Sequence, residues 1–412
     1  METRLSCSLN MQTTHLRSRS RSLLLGVPLL YMAAGSPTEK TSGSAPAMLS
    51  FDTLSKIGMS AATGVFFGVV LEKSRVFEPG TIHAQLRLEK FLMDKVWLSA
   101  IATGMLSFSM MMVLPDSHPS TRQMLQEHLN GLKNNNKGVL ACTLGGTLQG
   151  IGIALCGATP ELAVVQLGAG VENAGYTVLG GMIGALTYGL LEPLFAAFTS
   201  PKSPMSPEKY TLQAMFSTPY FFLGPPLALL TAGVVMALEY SFPWEDDVFV
   251  SDASVGLFSR VSWAPYSTGI IIGLLQIPIV QMMTKHIGAS TSYCTVTSQL
   301  LCCKPLQKLS PYLTKTRSGM VNWWQVVFMG GAALGGYLSA RASQSLGDAM
   351  GVTKSHAIIG GAVMIFGTRL AHGCTSGHGM STIGLLSTLP MVTTVSTFGA
   401  GTLVMYLRTK FH

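Results

Sequence analysis

Long apolar segments alternate with short polar loops from residue 51 to the C-terminus. A run of about 20 apolar residues is long enough to cross the hydrocarbon core of a bilayer as a helix. Such runs occur at 51–72, 91–114, 138–156, 173–197, 219–240, 264–285, 321–344, 354–373 and 391–408. The pattern therefore predicts an all-α polytopic membrane protein with about nine transmembrane helices and additional short half-helices.

Two of the apolar runs are interrupted by small and polar residues, and a short apolar piece follows each break. The first break covers residues 156–161 and precedes a piece at 161–170, while the second lies within residues 366–380 and precedes a piece at 380–389. Backbone groups freed by a break find no water in lipid, so a break is tolerated only where it lines a cavity or is buried in protein. Each break is therefore predicted to be half of a binding site.

The two breaks occupy matching positions in two halves of the chain. Residues 148–156 align without gaps with residues 366–374, so that their final cysteines correspond. The stretches after Lys73 and after Lys285 correspond more loosely. Repeats with discontinuous helices at matching positions are the usual sequence sign of a transporter site near the bilayer midplane. We therefore expect two pseudo-symmetric, inverted repeats with central cysteine loops.

The repeat suggests a division of the chain into four parts. The boundaries are an N-terminal tail at 1–50, a first membrane repeat at 51–200, a linker at 201–218 and a second membrane repeat at 219–412. The tail has an Arg/Ser-rich run before a short apolar run. A signal peptide, an organellar transit segment and an uncleaved tail all fit this pattern. The plasma membrane and an organelle membrane therefore both remain open.

Composition supports the membrane assignment. The chain is 48% hydrophobic and 11% charged, against about 25% charged residues in soluble domains. The net charge of +8 is spread over the tail and the loops, which fits anionic lipid headgroups and no nucleic-acid platform. Loop 241–263 is acidic and loop 285–317 is basic. The positive-inside rule places loop 285–317 on the cytoplasm-equivalent side.

The residues that follow each break are suited to starting a helix. Thr159 is a predicted N-cap, with Pro160 at the first helical position, and Thr375 or Ser376 can cap the second half-helix. Each helix start offers unpaired N–H groups and a positive dipole end to an anion. Glycines that leave the backbone open to a ligand are Gly157, Gly377 and Gly379.

Each break also presents a thiol, from Cys156 and from Cys374. A neutral thiol is a weak S–H donor and a soft, polarizable group. Two neutral thiols beside two helix starts would suit a sulfur-bearing oxyanion, whose sulfur meets the thiols while its oxygens accept from N–H donors.

Several ionisable or polar residues accompany the breaks in a supporting role. Arg369 lies deep in an apolar run, where an ionisable residue is a functional candidate. It either attracts the anion or holds the loop by pairing with Glu161 or with backbone carbonyls. His372 and His378 lie across a break, which is not the spacing of a helix-face metal pair, and are expected to hydrogen-bond loop carbonyls near the pore. Two amides are expected to line the pore, Gln149 and Gln166, and Trp323 and Trp324 are interpreted as interfacial anchors.

Residues 369–379 closely resemble the signature of the YeeE/YedE sulfur-transport family, and residues 156–170 look like that family's other cysteine loop. The resemblance extends from about residue 55 to 408. It implies an hourglass of helices with two central loops that each present a cysteine. It also implies thiosulfate uptake in which the ion passes between thiols by S–H hydrogen bonding. By matching position, the relay thiols are Cys156 and Cys374.

The chain departs from the family pattern after the first helix. Family members often carry a cysteine there, whereas residues 73–79 contain none. Cys294 lies in the corresponding place of the second half, and its substitution for the missing thiol is left open. One stage of the implied relay is therefore altered in this chain.

The sequence thus predicts a non-enzymatic membrane transporter for a small sulfur-containing anion, with thiosulfate favoured. A membrane thiol oxidoreductase that uses Cys156 and Cys374 is the alternative, and a structural scaffold is a third. No cofactor, metal or catalytic residue is predicted. The expected partners are the sulfur anion and the lipid bilayer, and a sulfur-carrier protein partner is left open.

Overall fold

A computed structural model describes residues 51–134, 138–201, 210–251 and 254–411. The predicted tail at 1–50 and most of the predicted linker, 202–209, lie outside these ranges. Regular structure in the described ranges is helical, apart from one isolated bridge between Thr211 and Ser387. The all-α prediction is therefore confirmed.

In the first half of the chain, shorter helices lie between long helices that could span a membrane. In order they are α1 (Phe51–Lys73), α2 (Pro79–Leu86), α3 (Leu92–Val113), α4 (His118–Asn134), α5 (Val139–Cys156), α6 (Pro160–Gly168) and α7 (Ala174–Thr199).

The second half repeats this alternation of long and short helices. Its helices are α8 (Leu212–Phe216), α9 (Tyr220–Ser241), α10 (Pro265–Leu274), α11 (Gln276–Met283), α12 (Ser290–Ser298), α13 (Lys304–Leu309), α14 (Pro311–Lys315), α15 (Met320–Ala342), α16 (Lys354–Leu370) and α17 (Thr388–Phe411). A π-helical segment, Thr375–Thr382, lies between α16 and α17.

Seven helical segments in the described ranges are long and apolar enough to cross a membrane, and an eighth is added if α16 and the π-helical segment are one bent span. The joined helices α5 and α6 count as one of the seven, and so do α10 and α11. The predicted run at 321–344 forms α15 but is not among these candidate spans. The chain is an integral multi-pass membrane protein.

Close helix crossings bring the two interrupted runs together. Helix α5 packs against α16 and α17, and α7 also packs against α16. The crossing of α5 and α16 depends on small residues, because a Cβ added at Gly360 would lie only 2.6 Å from the backbone nitrogen of Cys156. Small residues at such crossings let helix backbones approach closely in membranes. The end of α5, and with it the first break, is thereby held against α16.

The end of α1 and the stretch after it contain buried charged side chains. Glu72 and Lys73 are fully buried and paired at 3.2 Å, and Arg75 also reaches Glu72 at 3.2 Å. Ser339 of α15 donates a 2.6 Å hydrogen bond to the same carboxylate. Buried charges are tolerated when they are paired and hydrogen-bonded. This cluster therefore anchors α1 to α15 beside residues 73–79, which contain no cysteine.

Candidate functional site

The first break forms as the sequence predicts. Helix α5 ends at Cys156, and Gly157 adopts a left-handed conformation with φ 59°. Thr159 then caps α6, because its hydroxyl accepts a 3.4 Å hydrogen bond from the backbone nitrogen of Leu162, and Pro160 occupies the first helical position. The backbone thus turns out of one helix and starts another within three residues.

Gln166 fastens this break to the loop after α1. Its amide nitrogen donates to the carbonyl oxygens of Phe77 and Gly157, each at 2.7 Å. The side chain is 1% exposed. Gln166 was expected to line a pore, but its donors are used to hold the two loops together.

The second break is organised around the sulfur of Cys374. Helix α16 ends at Leu370, and His372 takes a left-handed φ of 68°. The sulfur then accepts hydrogen bonds from the backbone nitrogen of Gly377 at 3.4 Å and from that of Ala289 at 3.5 Å. The start of α12 therefore points at this thiol.

Thr375 and Ser376 do not cap the second half-helix, which corrects the sequence prediction. Their hydroxyls instead donate to the carboxyl oxygens of Glu161, at 2.8 Å and 3.3 Å. The sulfur of Cys374 takes the capping role through Gly377. Ser376 is also 3.2 Å from that sulfur, so a continuous hydrogen-bonded path joins the two breaks.

A third half-helix contacts both breaks. The hydroxyl of Tyr293 in α12 donates a 2.8 Å hydrogen bond to the carbonyl oxygen of Pro160. Tyr293 also lies near Glu161 and near the thiols of Cys156 and Cys374. Helix α12 thus connects the first break with the second.

Arg369 is buried next to neutral groups. Its guanidinium donates to the hydroxyl of Tyr312 at 2.8 Å and 2.5 Å, and to the hydroxyl of Ser290 at 3.0 Å. Among the described residues, no carboxylate lies within ion-pair distance of it. The expected alternative of an Arg369–Glu161 pair is therefore wrong. A buried cation with only neutral partners attracts an anion.

Arg369 and Cys374 line the same cavity, whose volume is about 390 Å³. Helix α4, the loop after α11, and the starts of α12 and α15 form its walls, and Gly373, Cys374 and Gly377 contribute from the second break. The rim carries an ion pair between Glu127 and Lys285, both about one-third exposed. Because that pair is internally neutral, Arg369 supplies the net positive charge of the interior.

Two titratable groups on the cavity wall have shifted pKa values. Burial lowers the pKa of His286, so its imidazole stays neutral at neutral pH. Burial would raise the pKa of Glu127, but hydrogen bonds from Lys285 and Gln123 outweigh it and lower the value. Glu127 therefore remains a carboxylate paired with Lys285.

On the other side of the second break lie small cavities. One of about 10 Å³ is lined by Cys374, Thr375, Gln149 and Trp97. The amide nitrogen of Gln149 and the indole nitrogen of Trp97 are buried there without a hydrogen-bond partner. Gln149 and Cys374 therefore line the same small cavity.

The other predicted thiols lie outside the large cavity. Cys156 is 1% exposed, and its sulfur donates a 3.6 Å hydrogen bond to the carbonyl oxygen of Ala158. Cys294 is fully buried beside Tyr312 and Arg369. Neither lines the cavity that contains Cys374. All six cysteines in the described ranges are free thiols.

Of the other predicted residues, some line the large cavity and others do not. His372 lines the large cavity, while the side chain of His378 lies outside the described part of the structure. Trp323 and Trp324 are buried, 7% and 2% exposed, and Trp324 lines the cavity. Their interpretation as interfacial anchors is therefore wrong.

Sequence reasoning missed Ser290 and Tyr312, which hold Arg369. The sequence did contain a signal for Ser290. The stretch after Lys285 corresponds loosely to the first half of the chain, and its glycine and serine mark the start of a third half-helix. Tyr312 had none, since its role depends on a contact across 57 positions. No group of three or more His, Cys, Asp or Glu side chains in the described ranges is placed to hold a metal ion.

Comparison with known proteins agrees with this geometry. The sequence profile of the family described as "Sulphur transport" matches residues 73–404, which is more than half of the chain. The thiosulfate transporter TsuA of Escherichia coli (strain K12) is 24% identical over 257 residues. The match covers 58% of this chain and 66% of that relative, slightly less than two thirds of its length.

Proposed function

Because this chain belongs to the sulphur transport family, we propose that it is a membrane transporter for a small sulfur-containing anion and that thiosulfate is its substrate. The observation that carries the proposal is the sulfur of Cys374 on the wall of a cavity of about 390 Å³ that also contains Arg369. The soft thiol of Cys374 suits the terminal sulfur of thiosulfate, and the guanidinium of Arg369 suits its oxygens.

The binding mode follows from the chemistry of each group. The oxygens of the anion would take the charge of Arg369 and the hydroxyl of Ser290, since charge-assisted hydrogen bonds are the strong ones. The terminal sulfur would accept the S–H proton of Cys374. Two backbone N–H groups already occupy the lone pairs of that sulfur. Its S–H proton reaches the hydroxyl of Ser376 and would turn from Ser376 toward the ligand.

The proposed passage is a relay between thiols without covalent chemistry. Cys374 receives the anion in the large cavity, and Cys156 would receive it beyond the junction of the two breaks. Cys294, beside Arg369, is the proposed third thiol. The hydrogen bonds from Thr375 and Ser376 to Glu161 close the direct route, so passage requires that this junction open.

The proposed inverted repeats are supported by matching contacts. Helix α1 packs against α15 as α10 packs against α3, and α7 packs against α16 as α17 packs against α5. A pseudo-two-fold relation that exchanges α1 with α10, α3 with α15, α5 with α16 and α7 with α17 would relate each of these contacts to its counterpart. The large cavity opens beside Lys285, on the side that the positive-inside rule assigns to the cytoplasm.

Thiosulfate uptake into proteoliposomes tests the proposal. The purified protein is expected to take up labelled thiosulfate above the level of empty vesicles, and Cys374→Ala and Cys374→Ser are each expected to abolish this uptake. The matched control is Cys142→Ala, because Cys142 is equally buried but lies away from the breaks at the start of α5.

Two outcomes would overturn parts of the proposal. Uptake that survives both Cys374 substitutions would refute the thiol relay. A Cys156–Cys374 disulfide that forms during turnover would favour the alternative of a membrane thiol oxidoreductase.

A further inference from the structure

The carboxyl of Glu161 lies in the junction that closes the proposed route. We propose that Glu161 is a proton-binding site that couples passage of the anion to movement of a proton in the same direction. The inference rests on the proposed transport function, and it concerns a group that the thiol relay does not use.

The burial of Glu161 is the first observation. The residue is 4% exposed, and its two carboxyl oxygens accept from the hydroxyls of Thr375 and Ser376. No lysine or arginine lies within ion-pair distance of it in the described ranges. A buried carboxylate without a cation is strongly destabilised relative to its neutral form. Hydroxyl partners suit both forms, because a hydroxyl can donate to a carboxylate or accept from a carboxylic acid.

The position of Glu161 between two cavities is the second observation. Through Ser376 its carboxyl is linked to Cys374, which lines the large cavity. Glu161 itself lines a different cavity of about 30 Å³, a volume large enough for a water molecule.

The two cavities lie at opposite ends of the spanning helix α3. The small one is lined by Met93 and Val96 in the first turns of α3. The large one is lined by residues of α4, which follows the other end of α3. The hydrogen-bonded path from Glu161 to Cys374 therefore runs between two cavities that lie toward opposite ends of α3.

Among the groups in the junction, Glu161 is the one that can gain and lose a charge, because its neighbours are hydroxyls, thiols and apolar side chains. Its hydrogen-bond partners are the hydroxyls of Thr159, Thr375 and Ser376 and its own backbone N–H. Tyr293 of α12 lies nearby, as do the thiols of Cys156 and Cys374, and none of these groups carries a charge when it is protonated. From α1 and α3, the small cavity receives only apolar side chains and the indole of Trp97.

The direction of coupling follows from charge. An anion in the junction repels an ionised Glu161, and a proton on the carboxyl removes that repulsion. Binding of the proton therefore strengthens binding of the anion, and by linkage the anion strengthens binding of the proton. The carboxylate takes one proton from water on the side of entry and releases it on the side of exit, so the group is unchanged after a cycle.

Accumulation of labelled thiosulfate in proteoliposomes tests this coupling. The membrane potential is held at zero with potassium and valinomycin, and the outside is made one pH unit more acidic than the inside. If one proton accompanies each anion, the wild type accumulates thiosulfate to an inside-to-outside ratio of about tenfold for each pH unit. A pH dye trapped inside should report acidification when thiosulfate is added.

Glu161→Gln is the decisive variant, since the amide is nearly isosteric and neutral and can still bond both hydroxyls. It is expected to take up thiosulfate to a ratio of one, regardless of the pH gradient. Glu172→Gln, in the exposed loop after α6, is the matched control and should keep the wild-type ratio. Glu161→Asp, which retains an acid, should keep a gradient-dependent ratio at a lower rate.

The outcomes separate the two proposals. Wild-type vesicles that take up no thiosulfate would refute the proposed function. Wild-type uptake that reaches a ratio of one under the pH gradient would refute proton coupling and leave the transport function intact. A tenfold ratio that persists in Glu161→Gln would assign the proton to another group and overturn the role of Glu161.

Discussion

The hydroxyl of Thr375 donates a 2.8 Å hydrogen bond to the carboxyl of Glu161 across 214 positions of the chain. One residue lies at the start of α6 and the other in the second break, so this bond ties the two interrupted helices together. Ser376 makes a second, longer bond to the same carboxyl. The junction is therefore a buried polar contact between the two breaks.

Removal of the Thr375 hydroxyl should loosen the junction without changing its shape. Thr375→Val leaves one oxygen of Glu161 without its donor, and we expect a loss of about 1 kcal/mol of stability. Thermal unfolding in detergent should show a lower midpoint for Thr375→Val and a nearly unchanged one for Thr375→Ser. Equal midpoints for the two variants would show that this bond does not stabilise the fold.

The crossing of α5 and α16 predicts a steric effect at Gly360. The Cβ of Gly360→Ala would lie 2.6 Å from the backbone nitrogen of Cys156 and 2.7 Å from its Cβ, so the helices must separate. Overpacking of this kind destabilises by about 1–3 kcal/mol, and displacement of the first break should also slow transport.

Gly330→Ala is the matched control, because a Cβ at Gly330 meets nothing within 4 Å. Both variants are compared by thermal unfolding and by thiosulfate uptake. A Gly360→Ala protein with wild-type stability and uptake would contradict the proposed close contact.

The neutral surroundings of Arg369 predict a binding defect when its charge is removed. Arg369→Gln loses a charge-assisted interaction with the anion, so the KM for thiosulfate uptake should rise about tenfold to hundredfold. Arg369→Lys keeps the charge but cannot reach both Tyr312 and Ser290, and an intermediate KM is expected. The exposed Arg341→Gln on α15 serves as the control. If all three variants share one KM, Arg369 only supports the loop.

The buried imidazole of His83 predicts a dependence of stability on pH. Burial, together with the charges of Arg408 and Arg87, lowers its pKa from 6.5 to about 4. Between these values the unfolded chain binds a proton that the folded protein excludes, so stability falls as the pH drops below 6.5. From pH 7 to pH 5 the loss is about 2 kcal/mol.

His83→Gln should remove that part of the pH effect. His356→Gln, near the start of α16, should leave most of it in place, because His356 makes the smallest of the contributions that lower the His83 pKa. Unfolding midpoints measured at pH 7 and pH 5 provide the check. If His83→Gln shows the wild-type fall between the two pH values, other groups are responsible.

The positions of the spanning helices and of both breaks were predictable because they depend on local sequence. Hydropathy over about 20 residues identifies a span, and Thr159 and Pro160 carry a capping signal that acts within one helical turn. The same reasoning placed Cys156 at the end of α5, which is confirmed. It also placed Cys374 at the end of its helix, which is wrong, because α16 ends at Leu370 and Cys374 lies in the break that follows. Sequence reasoning was less reliable where a side chain has both a local and a distant hydrogen-bond partner. Thr375 and Ser376, for example, donate to Glu161 and do not cap their own segment.

Sequence by itself determined that the chain is a helical membrane protein with two interrupted helices, because apolar length and helix-breaking residues are properties of short segments. Only the tertiary structure decided which groups meet. It placed Cys374 with Arg369 on the large cavity, set Cys156 and Cys294 outside it, and directed the start of α12 at the Cys374 sulfur. These contacts join residues far apart in the chain, and helix crossings set their distances.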